Sequence, residues 1–489
     1  MTESSSLGVP GSAPRELRTG ELAILAACIA VAAAPMVVFA GSYDLAAVAV
    51  VAALLAAGIA VRPQFGAYLY LIATPIIVGI ARGDALPILR PNEALIALIL
   101  LGLGIRAIFI MLQGRRYPLI FDRVDLALVL LALCASVLPL ALRWGRGEPI
   151  TSDDLLYAIV LWKYFLIYRL FRESVSTQEQ IAVCLWLSMA AASLVALVAI
   201  LQVNNLLGVP EFLLAHFDNP FQDASRVVTE RGTSTIASSF GVADTMMMNL
   251  AIVLVLLSQR HSNRLLLCVL GSIFVLGCIA AGQFSGFIGL AVMICAVGVL
   301  TGRLRHTVMV AGPVACIAAV LLWPVVAERL GGFQSIAGLP NSWLNRIANL
   351  ERFFLEELWS DLNWLTGVRP AARVAAPEPW REWVYIESGY LWLLWTGGVP
   401  LVAAFVLFAW TTQRDLRRVI RAHMGPGTVA AIVSLSWIVT MATLMILDPH
   451  LTMRGAADLF FPLLALSFVG QRYGDKEIGD IRHGFGEAR

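Results

Sequence analysis

The chain has 489 residues, of which 59% are hydrophobic and only 14% are charged, and its mean hydropathy is +0.79. A soluble globular protein carries about 25% charged residues, so this composition excludes a water-soluble globular fold and predicts a membrane protein. The net charge of +2 comes from dispersed arginines and indicates no nucleic-acid partner. All seven cysteines lie in apolar stretches, which argues against a disulfide framework or a zinc site.

Apolar stretches long enough to cross a hydrocarbon core of about 30 Å recur along the chain. They predict an all-α, polytopic, GT-C-like membrane protein with about fourteen transmembrane helices. These make one transmembrane domain, 22–470, between an N-terminal tail, 1–21, and a C-terminal tail, 471–489. In chain order the predicted spans are 22–40, 44–61, 64–81, 92–112, 124–143, 155–171, 179–201, 237–258, 265–283, 285–302, 307–326, 388–410, 427–446 and 457–470.

The distribution of basic residues predicts the orientation. With the N-terminus in the cytoplasm, and with Arg143 and Arg169 at their span ends counted with the adjoining loops, 20 of the 35 lysines and arginines fall on cytoplasmic segments, 13 fall outside, and Arg106 and Lys163 lie within spans. Eight of the 13 outer ones lie in two long loops, 202–236 and 327–387, so the short outer loops hold five. The positive-inside rule therefore favours both termini in the cytoplasm. Arginines in the outer loops are not explained by topology and are candidates for function.

The first long outer loop contains Arg226 and Arg231 and leads into a span that carries Asp244. Lys163 and Asp244 are costly at membrane depth, and either a mutual pair or a substrate role would explain them. His450 and Arg454 follow in the short last outer loop, where they can line the same outer cavity.

The second long loop contains apolar residues spaced three or four apart, which predicts an amphipathic helix on the membrane surface. They are Trp343, Ile347, Leu350, Phe354, Leu358 and Leu362. The polar side of this helix presents Arg346, Glu351 and Arg352, and Arg369 follows the helix. Such a helix either simply covers the bundle or places its arginines beside those of the first loop.

Glu387 lies at the outer mouth of the next predicted span. It is either a solvated helix end or a partly buried carboxylate able to accept a proton from a sugar hydroxyl.

From residue 155 to 408 the order of features resembles the O-antigen ligase and O-antigen polymerase superfamily of bacterial envelope glycosyltransferases. Five pieces carry the resemblance. They are a span with Lys163, Tyr164 and Tyr168; the outer-loop segment 231–233; a paired-span break at 282–286; the Arg346 loop helix with a small-residue turn at 365–368; and the segment 387–391 followed by Gly398. Two positions depart from the pattern. Glu387 and Ser388 stand where ligases usually have His-Asn, and Ser285 and Gly286 stand where Ser-Arg is usual.

The resemblance implies metal-independent glycosyl transfer, without a cofactor, at the outer face of the bacterial inner membrane. The donor would be a polyprenyl-pyrophosphate-linked glycan, and a glycan or lipid hydroxyl would be the acceptor. Arg231 and Arg346 would hold the diphosphate, with Arg226, Arg352 and Arg369 behind them, and Glu387 would take the base role. The acidic residue favours exopolysaccharide and polymerase-type members over lipid A ligases.

Two other functions fit the same topology. A transporter or lipid flippase suits fourteen spans, although the sequence lacks the internal repeat that transporters tend to show. A non-catalytic envelope-assembly protein would also explain two enlarged outer loops.

Overall fold

A computed structural model describes residues 43–83, 89–117, 119–218, 231–259, 263–331, 341–377, 383–422 and 425–469. The predicted span 22–40 and the two terminal tails lie outside the described residues. The chain divides into two compact units, the first made of Met1–Phe65 and Ala97–Pro118 and the second of Gly66–Ile96 and Leu119–Arg489.

The described chain is predominantly helical. Its α-helices are α1 (Tyr43–Val61), α2 (Gln64–Ile77), α3 (Pro91–Leu112), α4 (Arg123–Ala135), α5 (Val137–Gly145), α6 (Ser152–Ala158), α7 (Val160–Ser174), α8 (Gln178–Val203), α9 (Val209–His216), α10 (Ser239–Ser258), α11 (Arg264–Ala280), α12 (Phe284–Leu300), α13 (Leu304–Leu321), α14 (Trp323–Gly331), α15 (Asn341–Leu350), α16 (Glu356–Trp359), α17 (Asn363–Thr366), α18 (Gly389–Ala422), α19 (Pro426–Leu444) and α20 (Ala456–Ser467). One small antiparallel pair, β1 (Arg373–Ala375) and β2 (Trp383–Tyr385), aligns Arg373 with Tyr385.

Seven helices of the described chain are long and apolar enough to cross a membrane, namely α3, the α4–α5 pair, α8, α10, α13, α18 and α19. The prediction of a helical membrane protein is confirmed at this level, and the number of fourteen spans stays a prediction. The predicted span 155–171 is divided, since α6 and α7 meet at Ile159. Near its C-terminal end α7 carries Arg169, which binds the buried Asp125 at 2.9 Å and Glu173 at 2.6 Å.

The core of the second unit is built on α10 and α19, whose side chains are nearly all buried. Small residues allow neighbouring helices to approach them closely, as is usual where helices pack in a membrane. A Cβ on Gly277 of α11 would lie 2.8 Å from the Cβ of Ala196, and one on Gly289 of α12 would lie 2.8 Å from the sulfur of Met247. Helices α8, α11 and α12 are thereby fixed around this core.

In the first unit, α1 packs against residues 97–112 of α3. A Cβ on Gly102 would lie 2.8 Å from the carbonyl oxygen of Ala56, so only glycine fits at this contact. Arg106, predicted within a span, donates to the carbonyl oxygens of Ala60 at 3.1 Å and Val61 at 3.3 Å. Its charge is therefore placed at the C-terminal end of α1, where the helix dipole attracts cations.

The helix predicted in the second long loop is present, but the assignment of its faces is partly wrong. A π-helical turn at Glu351–Leu355 joins α15 to α16, and such a turn inserts a residue and rotates the faces that follow. Phe354 and Leu358 are buried as predicted, whereas Ile347 is 48% exposed. Leu362 lies beyond the helix with a positive φ of 59°. Arg346, expected on the polar outer side, points into the protein.

Contacts between loops of the second unit follow the predicted sides of the membrane. At predicted outer ends, the Asp218 amide donates at 2.8 Å to the carbonyl of Gly79, near the end of the span 64–81, and Arg369 binds Asp154 at 2.8 Å. At predicted cytoplasmic ends, the amide of Gly427, the first residue of the span 427–446, donates to the Gln178 side chain at 2.9 Å.

Candidate functional site

The loop between α19 and α20, residues 445–455, is the meeting point of several chain segments. It is tightly folded, because the His450 amide donates to the Asp448 carbonyl at 2.8 Å. It ends at Gly455, whose φ of +82° favours glycine and where a Cβ would lie 2.8 Å from Ile236. This shape directs three charged side chains, Asp448, His450 and Arg454, towards three different parts of the protein.

Asp448 faces the second long loop through Arg346. The Nη1 atom of Arg346 lies 2.9 Å from Asp448 Oδ2 and 3.2 Å from the Leu447 carbonyl oxygen, while its Nε lies 3.5 Å from Glu387 Oε2. The Asp448 side chain is 5% exposed, that of Arg346 17% and that of Glu387 38%. Arg346 and Glu387, two of the predicted site residues, are therefore in contact, and a second carboxylate holds the same guanidinium.

His450 faces α10 through Asp244. Its Nδ1 atom lies 2.7 Å from Asp244 Oδ2, and both side chains are buried. Within the described chain, His450 Nε2 and Asp244 Oδ1 have no hydrogen-bond partner. The ring of Phe240 packs edge-on against His450 at 6.2 Å and lies 5.9 Å from the Arg346 guanidinium, so the His450 and Arg346 pairs are contiguous.

The suggested pair of Lys163 and Asp244 is wrong. Lys163 Nζ lies 3.5 Å from Oδ1 of Asp458 on α20 and 4.4 Å from the centre of the Tyr164 ring. Hydropathy places a charge at a membrane depth but does not say which neighbouring helix its side chain faces. The neighbouring Tyr164 hydroxyl donates to the Thr452 carbonyl at 3.2 Å, which ties α7 to the 445–455 loop.

Arg454 faces the first long loop through Asp218. Its Nη2 atom lies 3.2 Å from Asp218 Oδ2, and Nη2 of Arg90, from the segment before α3, lies 3.5 Å from the same oxygen. Nearby, Arg82 binds both oxygens of Glu93 at 2.8 and 3.0 Å. Two guanidinium groups thus share one carboxylate oxygen.

Burial and neighbouring charges shift the pKa of several of these groups. Burial raises the pKa of Asp448, and Arg346 opposes this only in part. Burial alone would lower the pKa of His450, but Asp244, helped by Asp448, raises it overall. The pKa of Arg90 is lowered by its burial and by the positive charge of Arg454. The 445–455 loop therefore carries two groups able to exchange protons, Asp448 and His450. It also holds its Arg454 close to a second cation, Arg90.

Two other predicted arginines, Arg369 and Arg352, form contacts with other residues. Arg369 binds both oxygens of the buried Asp154, at 2.8 and 3.1 Å, and this pairing lowers the pKa of Asp154 against the opposing effect of burial. Arg352 is exposed, with its guanidinium 4.8 Å from the Phe353 ring centre. The Arg231 carbonyl accepts from Gln202 at 3.2 Å, and Arg226 lies outside the described residues. Of the predicted arginines, Arg346 thus contacts the 445–455 loop through Asp448, and Arg454 belongs to that loop.

Sequence reasoning missed Arg90, Asp218, Asp448 and Asp458 as members of the site. A signal for Arg90 was present, because it is one of the five basic residues in the short outer loops, as is Arg454. A signal for Asp458 was its place in the last predicted span, where a carboxylate is costly without a partner. Over the part of the chain that the structure describes, no three His, Cys, Asp or Glu side chains gather as metal ligands.

Pieces of the motif pattern also contact one another. The turn at 365–368 packs on Gly398, where a Cβ would lie 2.4 Å from the Leu365 carbonyl oxygen. Phe284, in the break at 282–286, packs edge-on against Trp343 of the loop helix at 5.5 Å.

Comparison with known proteins gives no family, since no protein-family model matches the chain and no curated protein matches it. Function is therefore inferred from the geometry around the 445–455 loop. This geometry places ionisable side chains for proton transfer beside guanidinium groups that suit an anionic substrate.

Proposed function

We propose that the protein is a multi-pass glycosyltransferase of the bacterial inner membrane that acts on a polyprenyl-pyrophosphate-linked glycan at the outer face. It joins repeat units into a polymer or transfers the glycan to an acceptor. The observation that carries the proposal is the 445–455 loop, which connects the two long loops of the chain. Its Asp448 contacts Arg346, which also contacts Glu387, in one long loop, and its Arg454 contacts Asp218 in the other.

The contacts among the motif pieces support this proposal. The turn at 365–368 meets Gly398, the 282–286 break meets the Arg346 helix, and Tyr164 meets the 445–455 loop. Residues that are distant in sequence and resemble one family's pattern would be expected to meet if they built one site. These contacts are compatible with a shared side of the membrane for the meeting segments, and the positive-inside rule favours the outer side for them.

The proposed reaction needs a base, guanidinium groups that stabilise the leaving diphosphate, and a residue that positions the base. An acceptor hydroxyl oxygen bonds to the anomeric carbon of the donor, the bond from that carbon to the diphosphate oxygen breaks, and the hydroxyl proton passes to a base. Glu387 is the proposed base, since its carboxylate is 38% exposed and held 3.5 Å from Arg346 Nε. Guanidinium groups stabilise the leaving diphosphate without a divalent cation. Because Arg346 is already held by two carboxylates, we assign it to positioning Glu387 and Asp448.

Reconstitution in liposomes with a purified lipid-linked glycan donor tests the proposal. We expect a new glycosidic product with EDTA present, and a loss of roughly 100-fold or more in rate for Glu387→Gln, as for a residue in general base catalysis. Glu356→Gln, an exposed acid of the same loop, is the matched control and should retain the wild-type rate. A strict requirement for a divalent metal, or full activity of Glu387→Gln, would contradict the mechanism.

The same liposomes separate the rival functions. A flippase would move the donor between leaflets without forming a glycosidic bond, and an assembly protein would do neither. In cells, loss of a ligase leaves lipid-linked polymer to accumulate, whereas loss of a polymerase leaves single repeat units. The accumulated species therefore identifies which of the two transfers the protein performs.

A further inference from the structure

Arg90 and Arg454 converge on a single oxygen of Asp218 although they come from opposite ends of the second unit's sequence. Their Nη2 atoms lie 3.5 and 3.2 Å from Asp218 Oδ2, and the three side chains are 24%, 24% and 31% exposed, respectively. A guanidinium carries five N–H donors, and among the described residues one oxygen of Asp218 is the side-chain partner of both arginines, which leaves most of their donor capacity for another ligand. The partial exposure means that a ligand can reach them.

The local charge balance also favours an anion here. Among the described residues, Arg82, Arg90 and Arg454 carry three positive charges, whereas the carboxylates that bind them, Glu93 and Asp218, carry two negative charges. At Arg346 the balance is reversed, because one guanidinium is bound by both Glu387 and Asp448. A doubly charged diphosphate is therefore attracted to the Arg90 side of the 445–455 loop and disfavoured beside Arg346.

We propose that Arg90 and Arg454 form a phosphate-binding subsite for the diphosphate of the donor. In the ligand-free protein Asp218 acts as a resident carboxylate that the diphosphate displaces. This inference rests on the proposed function and moves the diphosphate from Arg346 to two arginines that both lie outside the motif pattern. The forked N–H donors of arginine bind phosphate oxygens in the same way as they bind a carboxylate. When the diphosphate replaces Asp218, it offers two further negatively charged oxygens to the two guanidinium groups.

Binding of inorganic pyrophosphate to the full-length protein in nanodiscs, measured by calorimetry without divalent cations, tests the subsite. We expect Arg90→Gln and Arg454→Gln each to weaken binding by about tenfold or more, since each removes charge-assisted hydrogen bonds. We expect Asp218→Asn to strengthen binding, because it removes the competing carboxylate. Arg418→Gln is the matched control, since Arg418 forms a comparable pair with Asp415 at 2.7 Å away from this region.

A glutamine variant that does not fold is replaced by the lysine variant, Arg90→Lys or Arg454→Lys. Lysine keeps the positive charge but lacks the forked N–H donors of the guanidinium. They should bind pyrophosphate more weakly than the wild type. Unchanged binding in the arginine variants, or weaker binding in Asp218→Asn, would overturn the subsite.

A phospholipid headgroup offers the same phosphate chemistry, so the nanodiscs are made of phosphatidylcholine alone or with phosphatidylglycerol. Equal pyrophosphate affinity in both supports a diphosphate site, and loss of binding in phosphatidylglycerol overturns it in favour of a headgroup site.

Failure of the subsite is distinguishable from failure of the proposed function. Glycosyl transfer that survives in Arg90→Gln rejects the subsite alone, and pyrophosphate binding without any transfer by the wild type rejects the function alone.

Discussion

His450 and Asp244 form a buried ionisable pair whose effect on stability depends on one proton. Burying charges is costly unless each has a partner, and here the 2.7 Å contact joins only one nitrogen to one oxygen. The other polar atoms, Nε2 and Oδ1, lack a partner among the described residues, and each buried polar atom of this kind costs about 1–3 kcal/mol. The pair therefore stabilises the fold mainly while His450 carries its positive charge.

We expect the free energy of unfolding to fall as the pH rises above the ordinary pKa of histidine. The pKa of His450 is raised in the folded protein, with Asp244, Asp448 and Arg346 as its charged neighbours. A raised pKa means that the stabilisation is complete below the unfolded pKa of about 6.5 and is lost as the pH rises through the folded pKa, at roughly 1.4 kcal/mol for each pH unit that separates the two pKa values. Thermal unfolding in detergent at about pH 5 to 9 measures this, and His450→Gln should remove the loss at alkaline pH.

Two comparisons make this pH dependence specific. The raised pKa of Asp448 also makes the free energy of unfolding fall as the pH rises, but over a pH range that begins at the ordinary carboxyl pKa of 3.8. His216, an exposed histidine stacked on Phe212, provides the control, and His216→Gln should unfold with the wild-type pH profile. An unchanged profile in His450→Gln would contradict the role given to the pair.

Individual charged residues show how far sequence alone reaches. The cost of burying a charge in a membrane identified Lys163 and Asp244 as residues that need partners. It did not identify the partners, which are Asp458 and His450, because these lie on helices whose rotation hydropathy does not specify. Shared topology assigned Arg346 and Glu387 to one site without predicting their ion pair, whereas Arg90 was overlooked.

Helix α18 is broken at Gly398 by its contact with the second long loop. Gly398 has a φ of 62° and a ψ of −159°, and Pro400 follows two residues later. The break releases the Trp395 carbonyl, which accepts from the Val368 amide at 2.7 Å. A Cβ on Gly398 would lie 2.4 Å from the Leu365 carbonyl oxygen, so the turn at 365–368 occupies the space of a side chain.

Gly398→Ala should therefore lower the stability by roughly 2–5 kcal/mol, through the strain of a left-handed backbone and the displacement of the 365–368 turn. Thermal unfolding of the purified protein in detergent measures the change. Gly312→Ala is the matched control, because Gly312 lies within α13 with open space around it and alanine is the better helix former. Equal effects of the two substitutions would contradict a structural role for the break.

Hydropathy predicted several helices to within a few residues, but not their internal irregularities or the extension of α18 to Ala422. The apolar runs give α8 and α10 nearly the predicted bounds. The spacing of apolar residues predicted a helix at the second long loop but assumed 3.6 residues per turn throughout. The π-helical turn at Glu351–Leu355 breaks that assumption, and it depends on the fit to neighbouring segments rather than on local sequence.

At the scale of the whole molecule, the proposed site requires the two long loops to share one side of the membrane. The 445–455 loop contacts both, through Asp218 and through Arg346. Between the loops lie the predicted spans from 237–258 to 307–326, and an even number of crossings there keeps the loops together. A single false span would separate them, which makes the side of each loop the decisive measurement.

Cysteine labelling with a membrane-impermeant maleimide measures these sides. In a background without the seven native cysteines, Asn204→Cys and Glu356→Cys should both be labelled in intact spheroplasts, because each is exposed on a predicted outer loop. Arg305→Cys and Arg414→Cys, exposed on predicted cytoplasmic segments, should be labelled only after permeabilisation. Reversal of all four would invert the orientation and place the site in the cytoplasm. Opposite results for Asn204→Cys and Glu356→Cys would require an odd number of crossings between the loops, and no shared site would then be compatible with the membrane.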